Sequence, residues 1–568
     1  MSQSIEIPLG KRTKQYRFFE MLPGLLSYGM LLLLPILAWW NAIAASVYLL
    51  LFIFTMLVRA VAIGFHTIRG YKRLVAAQKV DWSDRLNDLT DPSTALSRWK
   101  DADPQVFGKK YHVRNLTAVA AYPENFPKPA ELRHIVIMAA YNESREVVEP
   151  TIKSLLATTL PNEQLVVVFA YEERGGKEIA KTAQYLADTY GSKFGGFYPV
   201  MHPKDMPNEV VGKGGNISYA GEQIAKILRE QGEDFSKYIV TSLDADNRPH
   251  PAYFDYVSYE YIVHENRKHL SYQPISLFMN NIWDVPAPMR VIATGNSFWN
   301  IISAVRPDRL RNFASHSQPL DALAEMDFWS RRTIVEDGHQ YWRSYFHFKG
   351  DYAVAPVYVP IYQDAVLSET YGKTLVAQFK QLRRWAYGAS DVAYVASHIF
   401  TKKRQVPLVE SLVKFWDLLE GHVTLGIMAI FITFGGWIPL LINPESARSI
   451  SAHQLPVVVS VLMQVAMIGL LISIFLSFKS LPARPERYKR SRNILMLLQW
   501  VLMPVTSVVY SAASALNAQG HLLFGKYLDK FDVTEKATVK EIKQAQKAKA
   551  KQRRWWQWWK GGRGGAQK

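Results

Sequence analysis

Tyr238-Ile-Val-Thr-Ser-Leu-Asp244-Ala-Asp246-Asn-Arg-Pro249 opens as a short β-branched run, ends in two carboxylates one residue apart, and breaks at a proline. Buried strands of an open α/β sheet read as such apolar runs, and the ligands of those sheets sit beyond the strands' carboxyl ends. Two aspartates at that edge supply hard oxygen ligands for a divalent cation, and such a cation can carry a diphosphate. The letters alone decide little. Asp101-Ala-Asp103 repeats them after Ser97-Arg-Trp-Lys100, with no strand in front, and reads as a solvated loop. The surroundings of Asp244 and Asp246 must therefore carry the reading.

Upstream, His134-Ile-Val-Ile-Met-Ala-Ala140 predicts a strand, Tyr141-Asn-Glu143-Ser144 a loop, and Val147 to Thr158 an amphipathic helix. Leu165-Val-Val-Val-Phe-Ala170 predicts a second strand that ends in Tyr171-Glu172-Glu173-Arg-Gly-Gly176. A helix from about Lys177 to Tyr190 follows, Gly195 to Met201 is a third strand candidate, and after Lys213-Gly-Gly-Asn216 a helix runs to about Glu230. Strand and helix in this alternation predict a parallel sheet with right-handed crossovers.

Further out, the composition changes. The chain has 568 residues, 49% hydrophobic and 13% aromatic, yet carries a net charge of +18. That length exceeds one ordinary domain. The mixture fits either a nucleic-acid binder or a membrane protein with basic cytoplasmic flanks, and the long apolar runs favour the membrane. The absence of cysteine excludes a disulfide framework, a thiolate nucleophile and cysteine-ligated zinc.

Met21 to Trp40 and Ala42 to Val58 are each near the roughly 20 residues that span a bilayer, and they lack the short core and cleavage site of a signal peptide. Lys11 to Arg17 before them and Arg59, Arg69, Lys72 and Arg73 after them place both ends of this hairpin in the cytoplasm. A buried soluble hairpin is the plainer reading, and the run lengths disfavour it.

These residues resemble a family. Ala140-Tyr141-Asn-Glu143, the pair Glu172 and Glu173, Lys213-Gly-Gly-Asn216 and Asp244-Ala-Asp246-x-x-Pro249 look like the family 2 glycosyltransferases of GT-A fold. Val335-Glu336-Asp337 and Gln381-Leu-Arg-Arg384-Trp385 narrow the resemblance to the membrane-embedded processive branch of cellulose, chitin and hyaluronan synthases. The resemblance spans roughly Ile135 to Trp385 plus the membrane arrangement. It implies an inverting transferase that uses a nucleotide sugar, UDP-linked in that branch, and Mg2+ or Mn2+.

It also implies roles. Asp246, with Asp244 toward the metal or the nucleotide, would hold the cation, and Lys213 would reach the diphosphate. Tyr141, Glu143 and Glu172 or Glu173 would contact base and ribose. An acceptor hydroxyl has a high pKa and needs a general base, for which Asp337 matches the family's aspartate. Gln381, Arg384 and Trp385 would form the acceptor and diphosphate end, Trp385 by stacking on a sugar ring.

Each motif also has a plainer reading: Lys213 as an exposed lysine, Glu336-Asp337 as a loop cap, Arg383-Arg384-Trp385 as decoration at a membrane surface. Two departures stand out. Val335 replaces the branch's threonine, and glutamates replace the usual aspartates after the second strand. Thr294 to Trp299, Arg306 to Arg311, His316 to Pro319 and the aromatics Tyr341, Trp342, Tyr345, Phe346 and Phe348 are left unassigned.

Past Trp385, Val406 to Glu420 predicts an interfacial helix, and Val423 to Ile442 and Leu455 to Phe478 are long enough to span. The basic loop Lys479 to Arg492 is then cytoplasmic. Ile494 to Leu516 conflicts with the tail behind it. That tail is basic, and Phe531, Val533, Thr534 and Lys536 resemble a cellulose-synthase gating loop, so with Pro504 mid-run the expectation is a re-entrant or a steeply tilted broken helix. Lysine-rich Glu535 to Lys560 ends in Arg553-Arg-Trp-Trp-Gln-Trp-Trp559 and suits an anionic lipid surface better than nucleic acid.

The expected architecture is a membrane protein whose cytoplasmic α/β domain of GT-A type lies between N-terminal and C-terminal transmembrane helices. Its divisions are a basic N-terminus (1–20), a hairpin (21–66), the catalytic domain (71–404), an interfacial helix (406–420), membrane segments (421–516) and a basic tail (517–568). The expected partners are a nucleotide sugar, a glycan or lipid-linked acceptor and the bilayer, with no nucleic acid. The expected product is a growing β-linked polysaccharide, threaded through the protein's own transmembrane bundle; four or five segments make a thin channel, so secretion would call for a second copy or an accessory secretion subunit. A single-addition transferase and an inactive scaffold are the rival readings.

Overall fold

The structure, a computed structural model, describes residues 5–8, 10–443, 450–528 and 541–542. Phe531, Val533, Thr534 and Lys536, with the tryptophan-rich stretch at 553–559, lie outside the described residues.

Eight strands form one mixed sheet: β1 (Arg133–Ala140), β2 (Leu165–Glu172), β3 (Gly196–His202), β4 (Tyr238–Asp244), β5 (Arg248–Pro249), β6 (Leu270–Leu277), β7 (His316–Pro319) and β8 (Ala353–Tyr362). Their order is β3-β2-β1-β4-β7-β6-β8-β5. The first four make the parallel unit expected from their spacing, while β7 runs antiparallel to both β4 and β6.

Alternation along β1 explains why helices cover both faces. Val136 and Met138 pack with Val148, Ile152 and Leu155 on one side. Ile135 and Ile137 pack with Ile217, Ile224 and Leu228 on the other. The chain winds outward from β1 through β2 to β3, then returns to place β4 on the opposite flank of β1. That reversal opens a crevice beyond the carboxyl ends of β1 and β4, the usual ligand position in such sheets. Asp244 closes β4 there, in register with Ala139 of β1.

Asp101-Ala-Asp103 has no strand behind it. Both aspartates are exposed, and Asp103 Oδ1 accepts from the Gln105 N–H at 2.8 Å. The unassigned His316-Ser-Gln-Pro319 is β7, inside the sheet, and Tyr341, Trp342, Tyr345 and Phe346 are core residues. At this burial their rings are closed to a sugar.

Among the described residues, four helical runs are long and apolar enough to cross a membrane: Lys14–Trp40, Ala42–Gln78, Leu408–Ile442 and Ser491–Leu523. A further helix, Ile450–Ser480, lies along Ala42–Gln78, where a Cβ on Gly64 would come 3.9 Å from the Cα of Gly469. Glycine on both helices lets the backbones approach. Leu32, Ile36, Trp39, Trp40, Leu51 and Phe54 stay exposed, an apolar surface suited to lipid rather than to water. Asn41 turns the hairpin by leaving the helix in an extended conformation, and its Oδ1 accepts from the N–H groups of Ile43 (2.8 Å) and Ala44 (3.1 Å).

Three expected boundaries shift. The second hairpin helix continues to Gln78, through both the expected hairpin end at 66 and the domain start at 71, since it holds no proline and runs on unbroken through Gly64 and Gly70. Its far end packs against the α/β domain: a Cβ on Gly70 would meet the Ile301 carbonyl at 2.5 Å, and Arg73 donates to the Tyr358 hydroxyl at 2.5 Å. The expected interfacial helix 406–420 is not separate, since one helix spans Leu408–Phe434 without a break. At Pro504 the helical path bends but does not end. A 3-10 turn at Gln499–Leu502 precedes the proline and a π-turn at Ser507–Ala512 follows, so the missing N–H is absorbed locally.

Candidate active site

The crevice at the β1/β4 reversal is built around one lysine. Lys213 starts the Lys213–Glu230 helix and is buried. Its Nζ lies 2.9 Å from Asp244 Oδ1, 3.2 Å from Asp337 Oδ1 and 4.0 Å from Glu336 Oε1, and it donates to the Ala314 carbonyl at 3.0 Å. The lysine is therefore the hub of the site, and the exposed-residue reading fails.

The glycines after it have a steric reason. A Cβ on Gly214 would meet the Ser330 carbonyl at 2.4 Å and the Glu336 Cβ at 3.2 Å, and one on Gly215 would meet Glu209 Oε2 at 2.7 Å. Only a helix start without side chains lets the 330–336 segment close on Lys213. Asn216 ties the sheet to this helix by donating to the Ala170 carbonyl at 2.9 Å and the Ala140 carbonyl at 3.4 Å.

Asp337 sits in the first turn of the Glu336–His347 helix. Burial raises its pKa against the pull of Lys213, and the negative charge of Asp244 raises it further. Glu336 is raised too, first by burial and then by the charge of Asp337, with Lys213 and Arg384 opposing. For Lys213, burial alone would lower the pKa, but the carboxylates of Asp244, Asp337 and Glu336 outweigh it and the pKa rises. The ammonium is thus permanently charged, and Asp337 is poised closer to neutrality than a free aspartate. The same helix is fixed from below: the His339 ring Nδ1 lies 2.7 Å from Asp391 Oδ1, both groups buried.

Asp246 is buried behind Asp244. Its Oδ2 accepts from the Asp364 N–H at 3.0 Å, and its carbonyl accepts from Asn280 Nδ2 at 3.0 Å. Among the described residues, no group of three His, Asp or Glu side chains converges as a ready-made metal cage. The donors that a cation would find are the oxygens of Asp244 and Asp246, a pair that suits a hard divalent ion completing its shell with phosphate and water.

The other predicted residues fall along the same sheet edge or apart from it. Tyr141 follows β1, and its N–H donates to Glu143 Oε2 at 2.7 Å, so Glu143 holds the loop shape. Glu172 ends β2 in a pair with Arg174, its pKa raised chiefly by burial, while Glu173 accepts from the Lys204 N–H at 3.0 Å. Arg384 lies within electrostatic reach of Glu336 and Asp337. Trp385 is 39% exposed, with its ring centroid 6.0 Å from that of Phe278. Gln381 faces inward and accepts from Gln378 Nε2 at 3.1 Å. Sequence reasoning missed His202, which ends β3 in register with Glu172 and lies 3.0 Å from Glu209. It also missed the His339–Asp391 pair. Nothing local marks either one.

No protein-family model matches the chain, and no curated protein matches it in sequence. Among solved structures it is similar to the mannosyltransferase PcManGT from Pyrobaculum calidifontis in complex with GDP-Man and Mn2+, at 14% identity and a TM-score of 0.38 over 82% of this chain and 100% of that one. It is also similar to S. aureus TarS 1–349, at 9% identity and a TM-score of 0.32 over 70% of this chain and 93% of that one. The same protein in complex with UDP-GlcNAc gives 11% identity and a TM-score of 0.32. At these scores the likeness fixes nothing about the chemistry of this chain.

Proposed function

We propose that the protein is a membrane-bound, inverting glycosyltransferase that moves a sugar from a nucleotide-sugar donor, UDP-linked by resemblance, onto a growing β-linked glycan. The observation that carries this reading is the bridge from Asp244 through Lys213 to Asp337, which joins an anion-binding end to a base within a few ångströms.

Asp244 and Asp246 would hold Mg2+ or Mn2+, which when bound neutralises the donor diphosphate. Lys213, already aimed into the crevice, exchanges its carboxylate partners for the phosphate oxygens, and Arg384 adds a second cation at the leaving group. Losing Lys213 as partner leaves Asp337 with a higher proton affinity, as a base requires. Asp337 takes the proton of the acceptor hydroxyl, the acceptor oxygen bonds to the anomeric carbon, and the bond from that carbon to the diphosphate breaks with its electron pair leaving on phosphate. One displacement inverts the centre. Trp385, partly open, offers its face to the acceptor ring. The apolar helices seat the domain at the bilayer, with the site on the cytoplasmic side by the positive flanks.

The test is incubation of membranes bearing the full chain with a panel of labelled nucleotide sugars, followed by sizing of the product. Long polymer supports chain extension. A single-sugar lipid product replaces it with the single-addition reading, and no donor consumption with any sugar removes the enzyme reading.

A further inference from the structure

The corner that backs Asp246 is also where a loop from the membrane helices lands. Asn280 Nδ2 donates to the carbonyls of Asp246 (3.0 Å) and Tyr362 (3.3 Å), and the Asp364 N–H reaches the Asp246 carboxylate. Asn281 and Ala365 exchange two hydrogen bonds of 2.8 Å each. Residues 279–285 and 363–365 thus form a cradle around Asp246.

The outer side of that cradle is held by residues 482–492. Trp283, buried, donates its Nε1–H to the Pro482 carbonyl at 3.0 Å, and Arg492 donates to the Trp283 carbonyl at 3.0 Å. The Tyr488 hydroxyl donates to Asp284 Oδ1 at 2.6 Å, and Arg487 donates to both Asp284 oxygens at 2.7 and 2.9 Å. A few residues on, buried Arg290 donates to Gln499 in the Ser491–Leu523 run. These contacts follow the Ile450–Ser480 helix directly. Arg487 is half exposed, so its pair alone contributes little. The indole N–H of buried Trp283, with the half-buried Tyr488 hydroxyl beside it, carries the link.

We propose that Trp283 and Asp284 form a latch through which the basic loop between the last two membrane helices positions Asp246. Asp284 is then a positioning residue, and the placement of Asp246 depends on how those helices sit. The inference rests on the reading of Asp246 as a cation ligand.

Full-length protein in lipid nanodiscs tests it without turnover. Hydrogen exchange is read at 244–249 and 279–285, and Mn2+ binding by its effect on water relaxation, for wild type, Asp284→Ala, Trp283→Phe and Lys489→Ala. Asp284→Ala, which removes the acceptor of the Tyr488 hydroxyl, and Trp283→Phe are expected to exchange about five-fold faster at 244–249, the factor that one lost net hydrogen bond brings to a local opening. Mn2+ binding weakens by a similar factor, whereas Lys489→Ala, which removes a loop cation without touching the corner, matches wild type. Unchanged exchange at 244–249 in both latch variants, or equal loosening by Lys489→Ala, overturns the proposal. If Asp284→Ala does not fold, Trp283→Phe, which loses only the indole N–H donor and some volume, decides. Should wild type bind no Mn2+ and consume no donor, the cation reading fails while the exchange comparison still judges the latch.

Discussion

The Lys213 ammonium lies 3.2 Å from the Asp337 carboxylate, although 124 residues separate them in the chain. One side chain thus ties the carboxyl end of β4 to the helix that carries Asp337, the proposed base. Replacing Lys213 with Gln strips buried Glu336 and half-buried Asp244 and Asp337 of their shared cation and costs roughly 3 kcal/mol of stability. Lys213 holds the Asp337 pKa down, so its loss moves that pKa up. A base works only when ionised, and the acid limb of kcat/KM therefore moves to higher pH. A pH profile of donor consumption reads the shift; an unmoved limb would sink the assignment of Asp337.

Asp337 and Glu336 are adjacent but not equivalent. Asp337→Asn removes the base and is expected to lower kcat by about 10²–10⁴-fold. Glu336→Gln keeps the base. A carboxyl whose folded pKa is raised above its unfolded value contributes stability at low pH, and that contribution is lost as pH rises through the folded pKa. Glu336→Gln removes this dependence, so its Tm relative to wild type should be higher at pH 9 than at pH 5. Thermal scans at both values check the sign.

Gly214 is required by space. Gly214→Ala would force the Ser330 carbonyl, 2.4 Å from the new Cβ, away from the helix start. Overpacking of this kind costs on the order of 1–3 kcal/mol. Because Glu336 is the next atom met, donor turnover should fall even at temperatures where the variant is fully folded. Gly232→Ala, with nothing within 4 Å but a φ of +73°, should cost stability without turnover.

His339→Ala leaves Asp391 buried without its partner at 2.7 Å. A loss of about 3 kcal/mol is expected, and Asp391→Asn, which retains a hydrogen-bonding group, should lose less. Denaturant titration of both variants compares them.

Trp385→Ala should raise the acceptor KM while leaving stability within about 0.5 kcal/mol, since the ring is partly exposed. Trp385→Phe should recover much of the affinity by keeping an aromatic face. Equal KM for all three would remove the stacking role.

The parallel half of the sheet was legible in the chain because each strand and crossover is a local pattern: β-branched runs, amphipathic stretches and glycine turns between them. Lys213, Asp244 and Asp337 could be named for the same reason, since each stands in a short motif at a chain turn. The mixed half was not. His316-Ser-Gln-Pro319 has no apolar alternation, and it becomes a strand only because β4 and β6 offer edges on both sides. The helix boundaries at 66, 71 and 420 were equally hidden, since a change from lipid to protein surroundings leaves the backbone hydrogen bonding of a helix untouched.

By itself, then, the sequence determined which segments form the parallel strands β1 to β4, which are long enough for a bilayer, and which residue types meet at the crevice. Tertiary structure alone decided that Glu336 joins Lys213, that Glu173 faces the Lys204 N–H, that His202 stands beside Glu172, and that the 482–492 loop reaches the cradle of Asp246. Those pairings lie between residues far apart in the chain. Local propensity carries no information about them, and only the packing of the sheet, its two helical layers and the long apolar helices brings them within hydrogen-bonding distance.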